Sequence, residues 1–87
     1  MTHEEFLPYH NHHVRFKLSD GRELSGVLSD TLRQLDKKIS DTAYEFIPTI
    51  NMIEWKQAEQ KGDKEKMKSL AVMMNISNIV WVEHLKN

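Results

Sequence analysis

The 87-residue chain contains no cysteine, only two prolines and three glycines, and no apolar stretch as long as a membrane-spanning helix. Such a helix needs roughly 18 consecutive apolar residues. Without cysteine, disulfides, thiolate catalysis and Cys-ligated zinc are all excluded, so stability must come from packing or from association between subunits. The first residues lack a basic region followed by an apolar run. We therefore expect neither an export signal nor a membrane segment, and we expect the protein to be cytoplasmic.

An excess of charge of one sign is also missing. Twelve Lys and Arg residues face thirteen Asp and Glu residues, which gives a formal net charge of -1. A broad basic face for strong, sequence-independent nucleic-acid binding is therefore not expected. The length predicts one domain, residues 1–87, with one modest core. Because no nucleophile elbow or phosphate-binding glycine loop is present, we expect no enzymatic activity and no cofactor.

The clearest pattern lies in residues 14–28, VRFKLSDGRELSGVL, which predict a β-hairpin. Val14, Phe16 and Leu18 alternate with polar residues, as in a strand with one buried face. The pair Asp20–Gly21 supplies the residues that a tight hairpin turn needs. Gly26, within the returning strand, indicates a strongly curved strand that passes close to its neighbour.

The segments on either side of this hairpin predict one short helix and one more strand. Thr2 and Glu5 have the spacing of a capping box, which predicts a short helix that stops near Pro8. Residues 43–48, AYEFIP, predict a third strand that ends at its proline. The polar residues 29–42 between them predict a connection with one helical turn.

The second half of the chain predicts a helical insertion at about residues 50–69, between the third and fourth strands. A helix is expected over residues 51–61, with Gly62 at its left-handed end and Asp63 capping a second helical segment. Residues 67–76 fit either a helix face or a strand. We favour a strand over residues 70–76, because the β-rich ending 79–85 needs a partner and Ser77–Asn78 offers a short break.

The hairpin motif resembles the Sm-like family, including its bacterial Hfq-type members. The residues that carry the resemblance are Leu18, Asp20, Gly21, Arg22, Leu24 and Gly26, with Asn78 and Ile79 near the end. The resemblance implies a mainly β, α+β fold: a small, strongly bent five-stranded barrel with a short N-terminal helix. It also implies ring-forming subunits joined edge to edge through the last two strands, with RNA bound in the ring.

The chain departs from that family where RNA-binding members contact bases. Those members carry an aromatic–Asp pair and a nearby Asn after the second strand, and an Arg-Gly or Lys-His step late in the chain. Here the corresponding places read Ser29–Asp30–Thr31 and Met74–Asn75–Ile76. The insertion is also longer than the family's usual link. The resemblance therefore favours the barrel more than it favours RNA.

Three groups of residues are candidates for binding. The most basic segment could contact phosphates, although Asp63 and Glu65 lie among its lysines and a solvated helix is the more ordinary interpretation. Large apolar side chains could anchor a partner or a second copy of the chain. A histidine cluster could hold a metal, but adjacent histidines on a strand point to opposite faces. The phosphate candidates are Lys61, Lys64, Lys66 and Lys68; the interface candidates are Trp55, Met74 and Trp81; the metal candidates, not expected to form a site, are His10, His12 and His13.

The leading interpretation is an oligomeric, non-enzymatic Sm-like binding module for RNA or single-stranded nucleic acid. The alternative is a protein–protein interaction adapter with no nucleic-acid role. The neutral charge and the missing base-contacting residues favour the adapter, whereas the resemblance favours RNA. The ligand and the size of the oligomer stay open at this point.

Overall fold

A computed structural model describes residues 1–30 and 42–85, which form a small α+β domain around one five-stranded antiparallel sheet. Two short 3₁₀ turns, Thr49–Asn51 and Ile76–Asn78, join neighbouring elements. Most of the connection expected over residues 29–42 lies outside the described residues. The main elements are α1 (His3–Phe6), β1 (His13–Leu18), β2 (Glu23–Ser29), β3 (Ala43–Pro48), α2 (Met52–Lys61), α3 (Lys64–Leu70), β4 (Val72–Asn75) and β5 (Ile79–His84).

The strands lie in the order β4-β3-β2-β1-β5. The last two strands of the sequence are therefore the two edges of the sheet. The sheet is open, because β4 and β5 do not pair with each other in the part of the chain that the structure describes. The predicted α+β class and the helical insertion between the third and fourth strands are confirmed, whereas closure into a barrel stays a prediction.

The predicted hairpin is confirmed, and its turn is held by short hydrogen bonds. The Leu18 amide donates to the Arg22 carbonyl at 2.9 Å, and the Arg22 amide donates to the Asp20 carboxylate at 3.0 Å. The hydrogen bond to Asp20 holds the pKa of that carboxyl group below its ordinary value. On the returning strand, Gly26 lies against β3, where a Cβ atom would overlap the carbonyl oxygen of Ile47. Only glycine fits such a close approach.

The core lies between the inner face of the sheet and α1. A capping box starts α1: the Glu5 amide donates to the Thr2 hydroxyl at 3.2 Å, and the Thr2 amide donates to the Glu5 carboxylate at 2.9 Å. This confirms the predicted N-terminal helix, which ends at Phe6. The core consists of Phe6, Val14, Phe16, Leu18, Leu28, Tyr44, Phe46, Ile76 and Ile79.

The insertion forms a second, thinner layer on the outer face of the sheet. The buried residues of α2 are Trp55 and Ala58, and α3 has none. Gly62 ends α2 in the left-handed conformation with φ 71°, as predicted. The Asn51 side-chain amide donates to the Leu70 carbonyl at 3.0 Å and so ties the start of the insertion to its end.

The sequence left helix and strand open for residues 67–76, and both occur: a helix up to Leu70 and a strand from Val72. The strand favoured over residues 70–76 is shorter than expected at both ends, because Leu70 belongs to α3 and Ile76 belongs to the following 3₁₀ turn, which leaves Val72–Asn75. The Asp63 carboxylate accepts from the Lys66 amide at 3.1 Å and stabilises the start of α3. The predicted break before the last strand is confirmed by the 3₁₀ turn there.

Among residues 1–30 and 42–85, every helix is too short or too polar to cross a membrane.

Candidate functional site

The two sheet edges expose apolar side chains. On β4, Val72 is 58% exposed and Met73 is 50% exposed, and on β5 Val80 is 60% exposed. Met74, the interface candidate from the sequence, instead packs against the core, because it lies opposite the buried Tyr44. Edge strands of this kind present unpaired backbone donors and acceptors next to apolar surface. The two edges are therefore a candidate association surface.

Trp81 lies on the outer face of the sheet because of a bulge in β5. The pairing of β1 with β5 shifts between Lys17 and Leu18, so that Ile79 and Val82 both pack on the core side. Trp81 is then half-buried, with the Arg15 guanidinium 5.6 Å from its ring centroid. Arg15 also forms an ion pair with Glu83 at 2.6 Å. This arrangement places an aromatic ring beside a cation on the outer face of β1 and β5.

Trp55, the other interface candidate, is an intramolecular anchor. It is 8% exposed and fixes α2 to the sheet. Beside it, a cleft of about 500 Å³ lies between α2 and the outer face of β2 and β3. The side chains that line this cleft are those of Asn11, Val27, Ser29, Ile47, Met52, Ile53, Trp55, Lys56 and Glu59.

Glu45 is a buried carboxyl group at the centre of β3. It is 2% exposed and lies on the outer face, between Ser29 of β2 and Met73 of β4. Burial raises the pKa of Glu45 above its ordinary value, and the positive charge of Lys68 acts in the opposite direction. From the sequence alone Glu45 is one of several carboxylates expected to be solvated at the surface, and this expectation is wrong because the residue is buried. Its place in an apolar strand was the only signal of that burial.

The four lysines proposed to contact phosphates do not form one strip. Lys64 and Lys68 share a face of α3, because they are one helical turn apart. Lys66 turns toward α2, where its ammonium lies 3.6 Å from the Glu54 carboxylate. Lys61 lies in the same groove, beside Glu54 and Asp63. Acidic side chains therefore partly neutralise the segment, as its mixed sequence indicates.

The three histidines considered as metal ligands point to different partners. A ring nitrogen of His10 contacts the Leu7 carbonyl, and His13 Nε2 lies 2.9 Å from the Thr49 hydroxyl. His12 packs edge-on against His84, with ring centroids 5.4 Å apart. Within the two described ranges, no three His, Cys, Asp or Glu side chains come together in a way that could hold a metal ion.

Comparison with family models, curated proteins and solved structures finds no match for this chain. The candidate surfaces therefore rest on the geometry of the chain itself.

Proposed function

We propose that the chain is a non-enzymatic, Sm-like interaction module that joins copies of itself edge to edge through β4 and β5. The observation that carries this proposal is the strand order, which leaves Val72–Asn75 and Ile79–His84 at opposite edges of the sheet. A β4 edge on one subunit can extend the sheet of the next subunit at its β5 edge. Such head-to-tail contacts close into a ring when the rotation between subunits permits.

The side chains of the edges support a second copy as the occupant. Val72, Met73 and Val80 are all at least half exposed. Soluble proteins usually cover such edges or protect them with charge or proline. The described strands β4 and β5 contain no lysine, arginine or proline, and the one acidic residue, Glu83 of β5, is paired with Arg15. The N-terminal helix before the first strand and the position of the last two strands also agree with the Sm-like resemblance.

Substitutions that place a charge on the sheet edges test this proposal. We expect light scattering of the unmodified chain at about 50 μM to give a multiple of the chain mass, because interfaces of ordinary affinity are populated there. Val80→Lys and Met73→Lys should each lower the measured mass, since a charge buried at the interface lacks a partner. Ile53→Lys is the matched control, because Ile53 is 76% exposed on α2, outside both edges. A monomeric unmodified chain would contradict the proposal.

Single-stranded RNA is the second candidate ligand, and the accessible Trp81 favours it. Tyr44 and Phe46 are buried in the core, and Trp55 is buried beneath α2. Of these four aromatic side chains Trp81 is the one that is not buried, so it could stack on a base, with Arg15 and Lys17 beside it. Lys64 and Lys68 would supply separate phosphate contacts on α3.

Fluorescence anisotropy with a labelled single-stranded RNA of about ten nucleotides tests the second candidate. Binding should be tighter than about 0.1 mM at physiological salt and should weaken about fivefold or more in Trp81→Ala. Changing Lys64 and Lys68 together to Ala should lower the slope of log affinity against log salt by about 1.4–1.8. Affinity no tighter than about 0.1 mM would exclude RNA and leave the protein-interaction role.

A further inference from the structure

We propose that the helical insertion is a pH-sensitive cover, which separates from the outer face of the sheet as a unit when the buried Glu45 carboxyl group ionises. The unit comprises α2, α3 and the 3₁₀ turn before α2, and its two ends are tied by the hydrogen bond from Asn51 to the Leu70 carbonyl. This property goes beyond association through the sheet edges.

Two buried polar atoms, one on the outer face of β3 and one on α2, lack a hydrogen-bond partner among the described residues. These atoms are Glu45 Oε1 and Trp55 Nε1. Leaving a buried polar group unpaired is costly, and separation of the insertion would return both atoms to water. Ionised Glu45 would have more to gain from this hydration than its neutral form.

The packing of the insertion is also limited. Trp55 and Ala58 are the buried residues of α2, and α3 has none. Neither of those two residues belongs to the core cluster on the other side of the sheet. The cleft of about 500 Å³ beside Trp55 further reduces the contact between α2 and β3. Segments with few buried apolar contacts open locally before the whole domain unfolds.

Among the described residues, Lys68 is the positive charge that acts on Glu45. From β2 and β4, the residues opposite Glu45 are Ser29 and Met73. From α3, Lys68 favours the ionised carboxylate without overcoming the effect of burial.

The charges of α2 are engaged with other groups. Lys56 pairs with Glu59 at 3.0 Å, and Glu54 pairs with Lys66 at 3.6 Å. Lys61 lies in the groove between α2 and α3. None of these charged groups donates a hydrogen bond to Glu45 Oε1, which is without a partner in the part of the chain that the structure describes.

The direction of the pH effect follows from the burial of Glu45. Its pKa is raised when the insertion is closed and returns to the ordinary value of 4.5 when the carboxyl group is exposed to water. The closed state is therefore fully favoured below the ordinary pKa, and this preference is lost as the pH rises through the raised pKa. Each unit by which burial raises the pKa changes the opening equilibrium about tenfold.

Hydrogen exchange followed by mass spectrometry of the full chain tests the proposal. The protection of residues 52–70 is measured relative to that of β1 from about pH 4 to about pH 8, which covers the titration of a buried carboxyl group. The β1 strand serves as the internal reference, because it lies inside the sheet rather than at an edge. We expect the relative protection of residues 52–70 to fall with rising pH and then to level off.

Two variants complete the test. Glu45→Gln has nearly the same shape but cannot ionise, so its relative protection should not change with pH. Glu59→Gln, which removes a carboxylate of α2 that pairs with Lys56, should retain the pH dependence of the unmodified chain. The proposal is overturned if relative protection in the unmodified chain is independent of pH, a result that does not require any variant to fold. It is also overturned if Glu45→Gln keeps the same pH dependence.

Discussion

The backbone of β3 occupies the space that a side chain at position 26 would need. A Cβ atom there would overlap the Ile47 carbonyl oxygen and lie 2.7 Å from Cε1 of Phe46. The sequence predicted this close approach correctly, since a glycine within an alternating strand often marks a bulge or a neighbouring backbone at short distance. The residue that Gly26 approaches could not be predicted, because the register between β2 and β3 depends on the chain that connects them.

Replacement of Gly26 by Ala tests this close contact. We expect a loss of about 2–3 kcal/mol in the free energy of unfolding, because backbone and a core aromatic ring must move to admit a methyl group. Gly62→Ala is a useful comparison, since Gly62 has φ 71° but no atom within 4 Å of an added Cβ. It should cost about 1 kcal/mol, from backbone conformation alone. Urea unfolding measures both, and equal costs would argue against the contact at Gly26.

The direction of single side chains was harder to infer near the sheet edges. Strict alternation would place Trp81 and Ile79 on one face of the last strand, but the bulge in β5 separates them. A bulge adds one residue to a strand and so reverses the faces beyond it. In β4, the core contact belongs to Met74 and the exposed position to Met73. Alternation puts Met74 on the same strand face as Val72 and Ile76, but which face turns toward the core depends on the pairing of β4 with β3.

Among the elements, α3 depends most on its own sequence. It has seven residues, none of them buried, and it begins with the Asp63 cap. The cap and Gly62 were recognisable in the sequence because each has a defined local role. The end of α3 was not recognisable, since Leu70 fits both a helix face and a strand. The helix gives way to a strand because the residues from Val72 onward pair with β3. This pairing joins parts of the chain that are distant in sequence, so no local pattern shows it.

Removing the Asp63 carboxylate, which caps α3, tests how far this helix depends on its own sequence. Asp63→Ala should destabilise α3 by about 1 kcal/mol and reduce hydrogen-exchange protection over residues 64–70. The global unfolding midpoint should change little, because α3 adds no residue to the core. Asp20→Ala, which removes the corresponding hydrogen bond in the hairpin turn, is the control and should leave α3 protected. Loss of protection throughout the sheet in Asp63→Ala would instead make α3 part of the cooperative core.

At the scale of the whole molecule, the open edges connect the fold to the proposed function. The sequence predicted five strands, an N-terminal helix and a helical insertion, and each of these elements is present. It could not predict that α2 lies beside Val27 and Ile47 on the outer face, because no local pattern records which face a distant helix will cover. Nor could it show that the sheet is open in the described part of the chain, because closure into a barrel depends on contacts between distant strands.

The most direct test of the central claim is cross-linking between the two edges. The chain has no cysteine, so Met73→Cys on β4 and Val80→Cys on β5 each introduce a single reactive site. The two single variants are mixed, treated with a short bis-maleimide, and compared with each variant alone on a denaturing gel. We predict that the mixture gives much more linked dimer than either variant alone, because β4 of one subunit meets β5 of the next. Equal yields in all three samples, or no linked dimer in the mixture, would contradict edge-to-edge assembly.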